Sequence, residues 1–224
     1  MSITQKLVRV AFFMLLITAL VVSVTTRGVA ADDYVLPASA AEITPLKAGD
    51  RAPSFTVRTV DNEKYRFDPN HLERPTILIS FRGGWCPYCN MHLSELKDVI
   101  PDLKAAGFDV LFLSGDRPEL LFKTLKRETQ EDIAGLDYEI LSDADIKAAI
   151  ALGTAFRASE KTIARRHEKG QDIEGSSMEQ FGALAVPAVF IVDRSGEITF
   201  SYANPDYEIR LSAEELKKAA STSH

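Results

Sequence analysis

Cysteine, tryptophan and histidine are scarce in this sequence: two, one and four in 224 residues. Two thiols cannot form the framework of bridges that holds small secreted scaffolds together. His92 is the one histidine at helical spacing from them, which leaves a closed zinc site short of its four ligands. Asn90 directly follows Cys89 where covalent haem attachment requires histidine, so that pattern is absent. Basic residues are in the minority, 26 against 32 acids for a formal charge of −6, which argues against a nucleic-acid partner. Repeats and low-complexity tracts are missing as well. What remains, 46% hydrophobic with 26% charged residues, is material for one ordinary core.

The amino end reads as an export signal. Lys6 and Arg9 precede the apolar run Val10–Val24, and Gly28-Val29-Ala30-Ala31 supplies small residues for cleavage, so residues 1–30 are expected to be removed. The alternative is an uncleaved anchor, since extension to Thr26 brings the run near the lower limit of ~17 residues for a membrane span. No cysteine stands near the cleavage site to carry a lipid. Either way the body is expected in the periplasm or outside the cell, touching a membrane only through an uncleaved anchor. Residues 31–46, small and Pro-containing without periodicity, read as a linker, and 47–220 as the folded domain.

Both cysteines lie in Phe81-Arg-Gly-Gly-Trp-Cys-Pro-Tyr-Cys-Asn90, two residues apart. A pair this close is a poor structural staple, because little loop entropy is removed by closing it. At a helix start the amides and macrodipole instead favour a thiolate on the first sulfur. Cys86 is therefore expected to be an exposed nucleophile of low pKa and Cys89 a more buried resolving thiol. Trp85 and Tyr88 are candidates to touch a partner polypeptide, or to pack on their own domain. Arg82 is placed either to stabilise the thiolate or to sit solvated at a strand end, and Pro87 suits the first helical turn.

Around this motif, Lys47–Val57 introduces a strand with Pro53 at its edge, and Lys64–Phe67 is its partner after the Asp61-Asn62 turn. Thr76–Phe81 has the continuous apolar character of a central strand. Met91, Leu93, Leu96, Val99, Ile100 and Leu103 recur at helical spacing from Pro87 to about Ala106, with Gly107 as the stop. Phe108–Ser114 is a second buried strand, followed by a helix from about Pro118 to Glu128. Tyr138–Leu141 reads as a short edge segment and Asp143–Leu152 as a helix capped by Ser142 or Asp143 and closed by Gly153. Residues 155–181 read as an irregular insertion. Val189–Val192 and Ile198–Tyr202 form a hairpin, and Ser212 with Glu215 opens a final helix as a capping box. Alternating strands and helices imply an α/β domain with right-handed crossovers.

This order, with a Cys-Pro-Tyr-Cys helix start and Val186-Pro187 leading into the hairpin, resembles the thioredoxin superfamily over nearly all of 47–220. Gly49-Asp-Arg-Ala-Pro-Ser-Phe-Thr56, Asp116-Arg-Pro-Glu119 and Ile140-Leu-Ser-Asp143 are similar to the alkyl hydroperoxide reductase and thiol-specific antioxidant branch, and Phe81–Cys89 to its peroxiredoxin-like subset. The resemblance implies a thioredoxin fold: a central mixed sheet, flanking helices and an N-terminal strand extension. It puts Pro187 where the superfamily has a cis proline, and Val186 where backbone would pair with a substrate strand. The peroxidase pattern itself is broken. Aligned on Cys89, the family's Pro and Thr positions hold Arg82 and Cys86; aligned on Cys86 they hold Ile79 and Gly83; and the family Arg before the hairpin corresponds to Pro187. The buried acid that thioredoxins place on the strand before the motif is also missing from Thr76–Phe81.

The expected function is an extracytoplasmic thiol-disulfide oxidoreductase: Cys86 attacks, a mixed disulfide forms, and Cys89 resolves it. Its partners would be a client protein with a disulfide or thiol and a second redox protein, with no cofactor and no metal. The alternative is a thiol-dependent peroxidase, an antioxidant with Cys89 peroxidatic, Cys86 resolving and a peroxide as substrate. A non-enzymatic factor that holds client cysteines is a third reading.

Overall fold

The computed structural model describes residues 34–223, so the export-signal reading of 1–30 lies outside the described residues. Among those described, no helix is long and apolar enough to cross a membrane. Numbered in chain order, the strands are β1 Phe55–Arg58, β2 Lys64–Phe67, β3 Thr76–Phe81, β4 Asp109–Ser114, β5 Glu139–Ser142, β6 Ala155–Arg157, β7 Ala183–Ala185, β8 Ala188–Val192 and β9 Ile198–Ala203. The helices are α1 Pro87–Leu96, α2 Ile100–Ala105, α3 Arg127–Ile133, α4 Lys147–Ala151, α5 Glu160–Glu168, α6 Ser177–Phe181 and α7 Ala213–Ser221.

Seven strands form one mixed sheet in the order β2-β1-β5-β4-β3-β8-β9, and β6 pairs with β7 separately. β3 runs parallel to β4 and antiparallel to β8. Every residue of β3 is buried, as a strand covered on both faces must be. Its side chains alternate between two cores: Ile77, Ile79 and Phe81 face the layer of α1, α2 and α7, while Leu78 joins Phe55, Phe67, Leu111, Leu113 and Phe190. The fold class is the one expected, with the β1–β2 hairpin as the N-terminal extension. That burial on both sides fixes where β3 ends, and the cysteine loop hangs from that end.

Several elements differ from the sequence reading. The long helix is two, because Pro101 cannot donate to the carbonyl four residues back and its ring crowds it; α1 stops at Leu96 and α2 restarts at Ile100. Met91, counted on the apolar face, is 64% exposed. The helix expected over 118–128 is a 3-10 turn, Pro118–Leu120, an irregular bend and then α3. There the Thr124 hydroxyl donates to Asp116 Oδ2 and Lys126 N–H to Asn90 Oδ1, so the chain bends to serve the cysteine loop. β5 is no edge: it lies between β1 and β4. Residues 155–181 are largely regular, comprising β6, α5 and α6. The supposed linker docks on the domain from residue 34 onward, with Arg157 N–H donating to Pro37 O (2.8 Å) and Leu46 N–H to Leu152 O (3.2 Å).

The helix start at Ser142-Asp143 is more elaborate than a simple cap. α4 begins only at Lys147, after Ile146 in a left-handed conformation (φ 56°) that a β-branched residue strongly disfavours. The buried Asp143 carboxylate holds this turn by accepting Ala148 N–H (2.8 Å) and Ala149 N–H (2.9 Å). Asp143→Ala would leave both donors buried and unpaired. We expect it to cost roughly 2–4 kcal/mol, read as a lowered urea midpoint with unchanged slope.

Candidate functional site

The cysteines sit where β3 hands over to α1. Cys86 is the cap residue with extended backbone (φ −88°, ψ 119°), and Pro87 takes the first turn, where its missing N–H costs nothing. Both thiols are free. Cys86 O accepts Cys89 N–H (3.1 Å) and Asn90 N–H (3.2 Å), so the two sulfurs share one tight turn.

Two buried polar side chains, Asn90 and Asp116, hold the loop in place. Asn90 donates from Nδ2 to Gly84 O (2.6 Å) and Cys86 O (2.9 Å), while its Oδ1 accepts Lys126 N–H (2.7 Å). Asp116 Oδ2 accepts Gly84 N–H (2.7 Å) and the Thr124 hydroxyl (2.9 Å). Burial raises the Asp116 pKa to about 6. The double glycine is required by this closeness. A Cβ on Gly84 would lie 2.7 Å from Leu125 N, and Gly83, at φ 150°, would press one against Trp85 Nε1 and Asp116 Oδ1.

The two sulfurs are electrostatically unlike. Cys86 has its pKa lowered from 9.0 to about 6, chiefly by a hydrogen bond from the Cys89 thiol, aided by the Cys89 N–H and the charges of Arg210 and Arg82 against the opposing effect of burial. Cys89 is pushed well above 9.0, first by complete burial and then by giving its proton toward Cys86. The expectation that Cys86 is exposed is corrected: only 1% of its surface is accessible. It lies at the floor of a cleft whose roof is built from side chains of other segments.

Arg82 is not solvated. Its guanidinium lies 4.5 Å from the Tyr207 ring centre and 5.7 Å from that of Trp85, both distances suited to cation–π attraction. Arg166 of α5 stacks on Trp85 at 4.4 Å and donates to Gln171 Oε1 (3.0 Å), and Gln171 in turn donates to Trp85 O. Trp85 is thus packed between two cations. Tyr88 meets Tyr207 edge-on, and its hydroxyl bonds to Glu208. Together with Arg165 and Lys169 these groups line a cleft of about 370 Å³ above Cys86. A larger depression, about 620 Å³, opens by Pro75 at the other end of β3 and holds neither sulfur.

Arg210 escaped sequence reasoning altogether. It lies 121 residues from Cys89, yet its Nη2 approaches Cys89 Sγ at 3.5 Å. No pattern around it signals that approach. It is held there by His92, whose Nε2 bonds to Leu211 O at 2.9 Å. Burial and the Arg210 charge lower the His92 pKa to about 4, so this anchor is neutral at physiological pH.

Val186 and Pro187, expected to meet a substrate strand, are both buried. Val186 is buried, its N–H donates to Thr154 O (2.9 Å), and its carbonyl accepts the Ser80 hydroxyl (3.1 Å). Ser80 Oγ also accepts Ala188 N–H (3.0 Å), so one side chain clips both residues flanking the buried Pro187. Among the described residues no peptide bond is cis, so Val186-Pro187 is trans, contrary to the resemblance. No cluster of metal-ligating side chains occurs among the described residues.

Comparison with known proteins follows the same lines. Residues 48–201 match the model of the AhpC/TSA family. The chain is 34% identical to the peroxiredoxin Bcp of Escherichia coli over 101 residues, 45% of this chain and 60% of that protein. It is 18% identical to the thiol-disulfide oxidoreductase ResA of Bacillus thuringiensis over 153 residues, 68% of each. The crystal structure of peroxidoxin BcpB from Mycobacterium tuberculosis superposes with a TM-score of 0.56 at 17% identity, covering 79% of this chain and 96% of that one, a likeness of fold. The chain belongs to the AhpC/TSA family, a family of thiol-based redox enzymes.

Proposed function

We propose that the protein is an extracytoplasmic thiol-disulfide oxidoreductase in which Cys86 is the nucleophile and Cys89 the resolving thiol. The asymmetry of the two sulfurs carries this reading. Cys86 borders the cleft and is favoured as thiolate, whereas Cys89 is sealed, favoured as thiol, and already donating to Cys86. Attack by Cys86 leaves Cys89 adjacent to the mixed disulfide it must resolve. The 18% identical ResA is named for this activity. The N-terminal segment, read as an export signal, would place the protein in a compartment where a disulfide once formed persists.

The name of Bcp favours peroxide as the alternative oxidant. A peroxidatic Cys89 finds no support in its complete burial and raised pKa. Trapping separates the readings. Cys89→Ser, pre-reduced and exposed to disulfides, is expected to accumulate mixed disulfides on Cys86, identified by mass; Cys86→Ser should accumulate none. In stopped-flow mixing with hydrogen peroxide, rapid saturable thiol loss in Cys86→Ser but not in Cys89→Ser would overturn the assignment.

A further inference from the structure

The cleft above Cys86 is cationic on a protein that is acidic overall. Arg82, Arg165, Arg166 and Lys169 line it against a single carboxylate, Glu208, which is engaged by the Tyr88 hydroxyl. These cations come from two places, the motif loop and α5. Arg165 and Lys169 stand four residues apart and so share one helix face. Neither forms an ion pair among the described residues, and both are exposed. Deeper in, Arg82 Nε and Arg166 Nε are buried donors without a partner.

Access narrows the class further. With 1% of Cys86 exposed in the lining of the cleft, a disulfide on the surface of a folded protein does not reach the sulfur, whereas a small molecule fits the space of about 370 Å³ beside it. We propose that the cleft selects low-molecular-mass disulfides and thiols carrying carboxylates a few bonds from the sulfur. This rests on the oxidoreductase reading above and names its substrate class. The Cys86 thiolate attacks one sulfur of R–S–S–R′, forming Cys86–S–S–R and releasing R′–S⁻, which takes the Cys89 proton. Cys89 then attacks the Cys86 sulfur and expels R–S⁻, so one electron pair passes from the dithiol to the substrate. The steps run backwards when an anionic thiol reduces the protein disulfide.

The test uses three disulfides of similar length and different charge: 3,3′-dithiodipropionate, bis(2-hydroxyethyl) disulfide and cystamine. The pre-reduced protein supplies the electron pair in a single turnover, and each rate is divided by that of free dithiothreitol to remove leaving-group differences. The dicarboxylate is expected to react at least about tenfold faster than the neutral compound, with cystamine slowest, and added salt should compress the order. The double substitution Arg165→Glu/Lys169→Glu should reverse the order. Equal normalised rates, or an order indifferent to charge reversal, overturn the substrate class while leaving the oxidoreductase reading standing. No reaction with any of the three overturns both.

Discussion

Asn90→Ala is expected to destabilise the protein by roughly 3–5 kcal/mol, lowering Tm by roughly 10 °C. Asn90 is 2% exposed and joins three backbone groups, Gly84 O, Cys86 O and Lys126 N, of which Cys86 O also accepts the Cys89 and Asn90 N–H groups. Truncation leaves Gly84 O and Lys126 N–H without this partner, and empties a buried site between the cysteine loop and the start of α3. The isosteric Asn90→Asp is the sharper control. It keeps the volume but turns an oxygen toward two carbonyl oxygens, so it should be worse than alanine, whereas a purely packing role predicts the reverse. Thermal unfolding of the reduced proteins at neutral pH distinguishes the two.

Cys89→Ala should move the pH at which Cys86 becomes reactive. In the wild-type protein the midpoint for alkylation of Cys86 by iodoacetamide is expected near pH 6, the value to which its pKa is lowered. The largest cause of that lowering is the Cys89 hydrogen bond, so removing the donor should raise the midpoint by at least about one pH unit. Cys89→Ser, which retains a hydroxyl donor, should fall between. A midpoint unmoved by alanine would assign the thiolate to Arg82 and Arg210 instead. The same shift has a stability consequence. A thiol with a depressed folded-state pKa contributes stability that is fully present above its ordinary value of 9.0 and is lost as pH falls through about 6. Reduced wild-type protein should therefore gain stability over Cys86→Ser as pH rises from 6 towards 9.

The parts legible in the sequence were those written in local code. A largely apolar six-residue run, followed by Arg82 and two glycines, specified β3; Ser212 and Glu215 specified the start of α7, where both halves of the capping box are made. The Cys-x-x-Cys spacing placed both sulfurs in one turn at a helix start. What was missed depends on contacts between distant residues. Arg210 is charged like any surface arginine until the chain beyond β9 folds back over α1. Asp116 was noticed as part of a family pattern, but its service to Gly84 N required the loop to be seen. Pro187 shows the opposite error: a resemblance supplied a cis bond and an open backbone, while Ser80, unremarkable in an apolar strand, occupies the groups on either side. Pro101 was in plain view, and helical periodicity outweighed it.

The family-wide match ends at residue 201, before Tyr207, Glu208 and Arg210. The cysteines therefore belong to the shared core, while part of their electrostatic setting is supplied by the segment that follows. Positive charge beside the sulfurs favours the reduced thiolate and gains nothing from the neutral disulfide, so Arg210 together with Arg82 raises the reduction potential of the pair. The segment after β9 is thus a place where the direction of electron flow can be retuned while the sheet, the helix and both cysteines stay as they are.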